Sequence, residues 1–175
     1  MTNTPWGKAQ SKKKFCRGIN SYTTASHGGF KVSDKLNLRI PEYMRQPDGW
    51  YEEDIEWSIV TLCFPDVFPP EDAISAKNTL KSWFPELYEK FFGEVILPGE
   101  SFVKDKETWT KEHDNDFVIN AAWGSWHKNV PKGMIGVYAQ VPSTQEEVFC
   151  LVPKEVHEAK TFPVSHTFEP FDARP

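Results

Sequence analysis

The sequence predicts an α+β fold, a single domain that begins with a β-hairpin, continues with two to three central helices and ends in an antiparallel meander. Three observations support this prediction. β-prone runs broken by Gly and Pro occupy the first and last thirds of the 175-residue chain, whereas the middle third shows helical spacing of apolar residues. A hydrophobic share of 39% indicates a packed core. Strands segregated from helices are typical of the α+β class.

The first third predicts a hairpin behind a basic arm. Residues 1–14 are polar and basic, and we expect an arm there, ahead of one domain over residues 15–153. From Phe15 onwards, apolar residues alternate loosely with small polar ones, which favours one strand. Gly28 and Gly29 then permit the positive φ angles of a hairpin turn before a second strand.

The acidic segment after Asp48 predicts the first central helix. Glu52, Glu53 and Asp54 precede apolar residues that fall on two faces, so we place these acids in the first turn of a helix buried between layers. Pro70 predicts the start of a second helix. Breaks follow that helix at Pro85 and Gly93, and a polar segment around Trp109 is a surface helix or a long loop.

The last third predicts three short antiparallel strands. Residues 116–126, 133–141 and 147–153 are β-prone runs separated by Gly and Pro. Residues 154–175 contain several prolines, and we expect them to form an irregular tail packed on the domain.

Charge is unevenly distributed along the chain. Residues 1–47 hold nine Lys or Arg against two acids, a net of +7, while residues 48–76 hold eight acids and no Lys or Arg, a net of −8. The two segments either lie against each other or form separate faces for different partners. The run Lys12, Lys13 and Lys14 is compatible with a nucleic-acid contact, although the total of −5 argues against wholesale binding of a phosphate backbone.

Cysteine usage and hydropathy indicate a cytoplasmic protein. Cys16, Cys63 and Cys150 form no CxxC pair, so we expect reduced and mostly buried thiols. No apolar segment follows the N-terminus, and no run approaches the roughly 18 apolar residues of a membrane span, so no membrane association is expected.

His27 is the first candidate for chemistry. The sequence Ser26-His27-Gly28-Gly29 lacks the spacing of a phosphate-binding loop, so two interpretations remain. The segment is a structural turn, or it exposes His27 as a general base, since imidazole titrates near pH 6.5.

Acidic and aromatic residues supply the other candidates. Glu52, Glu53 and Glu56 would share one side of the predicted helix, where a metal, a catalytic proton or a basic surface could offset their repulsion, although acids also favour helix N-termini for dipole reasons alone. Trp123 and Trp126 lie in a Gly-rich connection as possible partner anchors.

An enzyme built from this sequence would use His27, Glu53, Asp54 and His127 as its catalytic residues. Two imidazoles and an acid could also bind metal, but no HxH or HExxH spacing supports this, so neither a metal nor another cofactor is predicted. The sequence has no G-x-S-x-G motif.

Four stretches resemble an uncharacterised domain family of phage, prophage and plasmid open reading frames. They are TPWGKAQ, ASHGGF, GWYEEDIEWSIVTLCFP and AAWGSWHKNVPKGMIGVYA. The resemblance runs from about Thr4 to Ala139 and implies no established activity. Its motif positions here are Trp6, Gly7, His27 to Gly29, Trp50 to Asp54, Trp57, Trp126 and His127.

The resemblance and the segregated charge together predict a non-enzymatic accessory protein that binds and modulates a host protein. An inhibitor of host defence, of the anti-CRISPR or anti-restriction type, is one such protein. Glu52, Glu53, Glu56, Trp123 and Trp126 are its predicted partner-binding residues. The alternatives are a small hydrolase acting on a nucleotide or nucleic acid, and a nucleic-acid-binding module that uses the basic arm.

Overall fold

The computed structural model describes residues 2–158 and 169–170. Its contacts divide the chain into two compact units, with the boundary between Asp105 and Lys106. The predicted α+β class is confirmed, with an N-terminal hairpin and a C-terminal meander. All strand pairs in the described part of the chain are antiparallel.

The first unit contains a two-stranded hairpin and a four-stranded sheet. The hairpin pairs β1 (Asn3–Thr4) with β2 (Gly7–Lys8). The sheet has the order β3-β4-β5-β6, and its strands are Ser11–Cys16, Ile19–Thr23, Gly28–Val32 and Trp50–Glu52. Strand β3 begins at Ser11, so the last four residues of the predicted arm belong to the sheet.

The prediction of a single strand from Phe15 onwards is wrong, because this stretch contains the end of β3 and all of β4. Gly18 has a φ of 102° and turns the chain between β3 and β4. A Cβ at this position would also meet the Ser33 hydroxyl oxygen at 2.6 Å. The turn therefore requires glycine both for its backbone angle and for its space.

Five helices begin in the first unit, and the last of them crosses the boundary. They are α1 (Asp34–Asn37), α2 (Trp57–Cys63), α3 (Pro70–Trp83), α4 (Pro85–Phe92) and α5 (Phe102–Glu112). The predicted Pro70 start and the Pro85 break are confirmed. So is the stop at Gly93, which adopts a φ of 67°.

The placement of the acids in the first turn of a helix is wrong. Glu52 ends strand β6, Glu53 and Asp54 lie in turns, and α2 starts only at Trp57. Pairing of Trp50–Glu52 with β5 holds this segment in the sheet. Tertiary pairing thus overrides the local preference of acids for a helix N-terminus.

Helices cover one face of the first sheet. Ile59 and Val60 of α2, Leu80 of α3 and Tyr88 of α4 share a buried cluster with Tyr51 of β6. The same cluster contains further aliphatic and aromatic side chains, including Ile19, Val32, Ile40, Phe64 and Phe68. Apolar burial of this kind is the main favourable term in folding.

The second unit contains the predicted meander. Strands β7 (Val118–Trp123), β8 (Met134–Gln140) and β9 (Glu147–Pro153) pair in sequence order. Strand β10 (Glu169–Pro170) adds to β9, and helix α6 (Lys154–Glu158) follows β9 directly. In the described part of this unit, the buried residues include one small cluster of Val137, Ala139, Cys150 and Val152 and another of Val130 and Leu151. The rest of the predicted tail lies outside the described residues.

The helices of the described chain are short. The longest, α3, has 14 residues. None of them has the length and apolar character that crossing a bilayer requires.

Candidate functional site

Two of the sequence motifs meet through the pairing of β5 with β6. Gly29 lies opposite Glu52, and the Glu53 N–H donates to the Gly28 carbonyl oxygen at 3.1 Å. The turn between β4 and β5 spans Thr24 to His27, where the Thr24 N–H donates to the His27 carbonyl oxygen at 2.7 Å. His27 therefore stands at the end of a tight hairpin turn, directly beside the acidic segment.

The two glycines of the motif are not turn residues. Both lie in β5, and neither has a positive φ angle, so the prediction of a Gly-Gly turn is wrong. A Cβ at Gly28 would lie 2.3 Å from the Glu53 Oε2 atom, and a Cβ at Gly29 would lie 2.3 Å from the ring of Trp6. Glycine is required here because it leaves room for a carboxylate and for an indole ring.

An imidazole and two carboxylates converge at the end of this hairpin. His27, Glu52 and Glu53 each offer a ligand-type atom, and these atoms all lie within 4.8 Å of one another. Within this cluster, His27 Nδ1 lies 3.7 Å from Glu52 Oε1. The His27 side chain is 52% exposed and that of Glu52 is 25% exposed, so the cluster is open to solvent on the imidazole side.

The two oxygens of Glu52 have different surroundings. Oε2 accepts the Asp54 N–H at 2.7 Å, which fixes the orientation of the carboxylate. Oε1 is buried and has no hydrogen-bond partner in the described structure, although His27 Nδ1 lies nearby. A buried carboxylate oxygen without a hydrogen bond is costly unless a cation or a proton compensates it.

Glu56 and Asp54 have roles different from those of the two clustered acids. Glu56 Oε1 accepts the side-chain amide of Gln46 at 2.5 Å, and Oε2 accepts the Glu52 N–H at 3.0 Å. Both oxygens of Glu56 are therefore engaged in holding the turn, whereas the Asp54 side chain is exposed. Of the predicted catalytic residues, His27 and Glu53 come together, and Glu52, which was predicted for partner binding, completes the cluster.

Aromatic rings and lysines cover the sheet face next to the cluster. The rings of Trp6 and Trp50 meet edge to face at 5.7 Å, and Tyr22 lies 5.3 Å from Trp50. Lys12 Nζ lies 5.4 Å from the centre of the Tyr22 ring.

Strand β3, which carries the lysine run, is an edge strand of its sheet. Exposed lysines discourage the pairing of such an edge with other chains. A nucleic-acid contact by Lys12, Lys13 and Lys14 stays a prediction.

A groove of about 390 Å³ opens on the other side of Glu53. Its apolar lining comes mainly from aromatic rings, among them Trp57 and Phe68, and its charged lining comes from Lys13, Glu53 and Asp72. This volume falls within the range of small-molecule sites. Glu53 thus contributes to both the cluster and the groove.

The remaining predicted site residues belong to the second unit. Trp126 follows β7 and is 76% exposed, whereas His127 is buried. The His127 N–H donates to the Gly124 carbonyl oxygen at 3.0 Å, and its Nδ1 accepts the Asn129 N–H at 3.3 Å. Trp123 is half-buried beside Val130 and Leu151. A catalytic role for His127 and partner binding by Trp123 and Trp126 stay predictions.

The cysteine environments disfavour nucleophilic chemistry. Burial raises the pKa of the Cys63 thiol to about 11 and also raises the pKa of Cys150. Both thiols are therefore neutral at pH 7, and a neutral thiol is a poor nucleophile.

Comparison with known proteins places the chain in a family but gives no function. No curated protein and no solved structure matches it. A family model, described as a domain of unknown function (DUF7007), matches residues 1–114, which include His27, Glu52 and Glu53. The expected membership in an uncharacterised family is thereby confirmed, while the phage or plasmid source stays a prediction. The chain belongs to the DUF7007 family.

Proposed function

We propose that the protein is a non-enzymatic accessory protein of a phage or mobile element that binds and modulates a host protein. The observation that supports this most directly is that, among the described residues, its two oppositely charged segments form no direct ion pairs with each other. In the described chain, no Lys or Arg of residues 1–47 forms an ion pair with an acid of residues 48–76. Those charges remain available to a partner.

The acidic segment presents several free carboxylates. Glu53, Asp54, Asp66 and Glu71 are exposed. Their local repulsion is relieved when a basic surface covers them. A host enzyme with a basic nucleic-acid groove offers such a surface, because carboxylates can occupy the positions that phosphates take. An inhibitor of host defence, of the anti-CRISPR or anti-restriction type, fits this partner class.

A matched pair of charge variants tests the proposal. One variant carries Glu53→Gln, Asp54→Asn, Asp66→Asn and Glu71→Gln. The control removes four exposed acids elsewhere, through Glu107→Gln, Glu112→Gln, Asp114→Asn and Asp116→Asn. We expect the first variant to retain about tenfold less of the same host protein from bacterial lysate at low salt, and the control to match the wild type.

The readout is mass spectrometry of proteins retained on the immobilised chain, followed by the activity of the retained host protein with and without the chain. If both variants retained equally less host protein, binding would depend only on total charge, which would contradict a specific role for the acidic segment. Failure of the wild type to retain any host protein at low salt would contradict the proposal.

A second candidate function is a small hydrolase acting on a nucleotide or nucleic acid. The specific observation in its favour is the approach of His27 Nδ1 to Glu52 Oε1, 3.7 Å apart, at a point where Glu53 also borders an aromatic groove. Aromatic walls suit the stacking of a base. At 3.7 Å, a small movement would bring the imidazole and the carboxylate within the hydrogen-bond reach that acid–base catalysis requires. A screen with nucleotide and nucleic-acid substrates should then show turnover that His27→Ala abolishes and that Asp66→Asn, a change at an exposed acid outside the predicted catalytic set, leaves in place.

A further inference from the structure

The donor atoms in the cluster of His27, Glu52 and Glu53 match the preferences of a divalent transition-metal ion. One imidazole nitrogen and two carboxylates come together from a hairpin turn and the adjacent strand end. Mg²⁺ and Ca²⁺ prefer oxygen ligands alone, whereas an imidazole nitrogen with carboxylates suits Zn²⁺, Mn²⁺ or Fe²⁺. The mixed donor set distinguishes this cluster from an ordinary group of surface acids.

The surroundings of the Glu52 carboxylate also favour a cation beside it. Its Oε1 atom is buried, has no hydrogen-bond partner in the described structure and points towards the imidazole of His27. Its Oε2 atom is held by the Asp54 N–H at 2.7 Å. Metal-binding carboxylates are commonly oriented in this way by a hydrogen bond to the oxygen that does not bind the metal.

The backbone around the cluster is fixed, while the side chains have room to adjust. The Glu53 N–H bond to the Gly28 carbonyl and the Thr24–His27 turn hold the two segments together. Metal bonds of about 2.0–2.2 Å place tetrahedral ligand atoms roughly 3.4 Å apart, so the cluster needs to contract by about 1 Å. His27 is half exposed and can make that movement by side-chain rotation.

We propose that His27, Glu52 and Glu53 bind one divalent transition-metal ion of the Zn²⁺ or Mn²⁺ class. Three protein ligands leave at least one coordination position for water or another ligand, as in catalytic rather than structural zinc sites. The exposure of Glu53 and His27 places that position at the surface. This site shares Glu53 with the proposed host-binding surface, but its metal binding is tested without any host protein.

Direct titration tests the site. The full chain, free of any histidine tag and stripped with a chelator, is titrated separately with Zn²⁺ and with Mn²⁺ against a competing coloured chelator. We expect one ion per chain for at least one of the metals. His27→Ala, Glu52→Gln and Glu53→Gln should each weaken that binding by about 10–100-fold.

Asp54→Asn is the matched control, because it removes the same charge from the neighbouring exposed residue. We expect its affinity to equal that of the wild type. Glu52→Gln keeps an oxygen that can accept the Asp54 N–H, so the turn should persist. Far-ultraviolet circular dichroism and Trp fluorescence check that each variant is folded.

A nuclear magnetic resonance experiment identifies the ligand directly. In protein with ¹⁵N-labelled histidines, Zn²⁺ should shift the ring signals of His27, assigned by their absence in His27→Ala. The proposal is overturned if the wild type binds neither ion. It is also overturned if binding survives in all three variants, or if Asp54→Asn weakens it as much as Glu52→Gln.

Discussion

The two four-stranded sheets share an antiparallel pattern but bury different amounts and kinds of side chain. In the described residues, the core of the first unit contains large rings such as Tyr51, Tyr88 and Phe64, covered by helices. The buried clusters of the second unit contain aliphatic residues, none larger than Leu151, and Cys150. The cluster of His27, Glu52 and Glu53 lies at the edge of the sheet that has the larger core. A large rigid core can support a group such as the Glu52 carboxylate, because the burial of its Oε1 atom without a hydrogen bond costs free energy.

The largest loss of stability should come from substitutions that open a cavity in each core. Leu80 is fully buried in the first unit, and Leu80→Ala should lower the free energy of unfolding by about 2–5 kcal/mol. The matched change in the second unit, Val137→Ala, removes fewer methyl groups from a smaller cluster and should cost about 1–3 kcal/mol. Denaturant unfolding measures both values. An equal or larger loss for Val137→Ala would contradict the conclusion that the first core contributes more to stability.

A smaller effect should follow from adding a methyl group to a glycine in each unit. Gly29→Ala forces a Cβ to within 2.2 Å of the Tyr51 carbonyl oxygen, so we expect a loss of about 3 kcal/mol. Gly124→Ala meets only the exposed side chain of Trp126, at 3.2 Å, and should change stability by less than about 1 kcal/mol. Thermal unfolding compares the two variants. If Gly29→Ala is tolerated, Trp6 and strand β6 can both move away from residue 29.

The smallest effect should appear at alkaline pH. Burial raises the pKa of Tyr51 from 10.0 to about 12, and its hydroxyl donates to Asn37 Oδ1 at 2.7 Å. A raised pKa means that the stabilisation is complete below about pH 10 and is lost as the pH rises through about 12. We expect about 1 kcal/mol to be lost by about pH 11. Cys63, with a pKa raised to about 11, adds a loss of the same sign.

Two variants separate these contributions. Tyr51→Phe and Cys63→Ala should each reduce the alkaline slope of the unfolding free energy, although each lowers stability at neutral pH. The measurement is denaturant unfolding between neutral and alkaline pH, with tyrosinate absorbance followed in parallel. An unchanged slope in Tyr51→Phe would indicate that Tyr51 ionises in the folded state without cost.

Local signals in the sequence predicted the elements that depend on local chemistry. Pro70, Pro85 and Gly93 set the limits of α3 and α4 through backbone geometry alone, and the meander strands were separated by Gly and Pro. The segment around Glu52 was assigned to a helix because acids are common at helix starts. Its true state depends on pairing with β5, a partner more than fifteen residues away that no local pattern identifies.

The residues of the candidate site could be predicted from the sequence motifs, but their arrangement in space could not. The sequence singled out His27, Glu52 and Glu53 individually. Their convergence follows from the register in which Gly29 faces Glu52, and a shift of one residue would turn Glu52 to the other face. The glycine-rich motif carried a usable signal, since small residues in a strand indicate close approach by another group.

The strand order of the first sheet also has a kinetic consequence. Strand β3, with Lys12, Lys13 and Lys14, forms one margin, and β6, which ends in Glu52, forms the other, three strand spacings or about 14 Å away. The sheet is therefore a permanent electric dipole across its width. A molecule with an uneven distribution of charge experiences a torque that orients it before contact. Encounter rates should therefore depend on ionic strength more steeply than the lifetime of the complex formed.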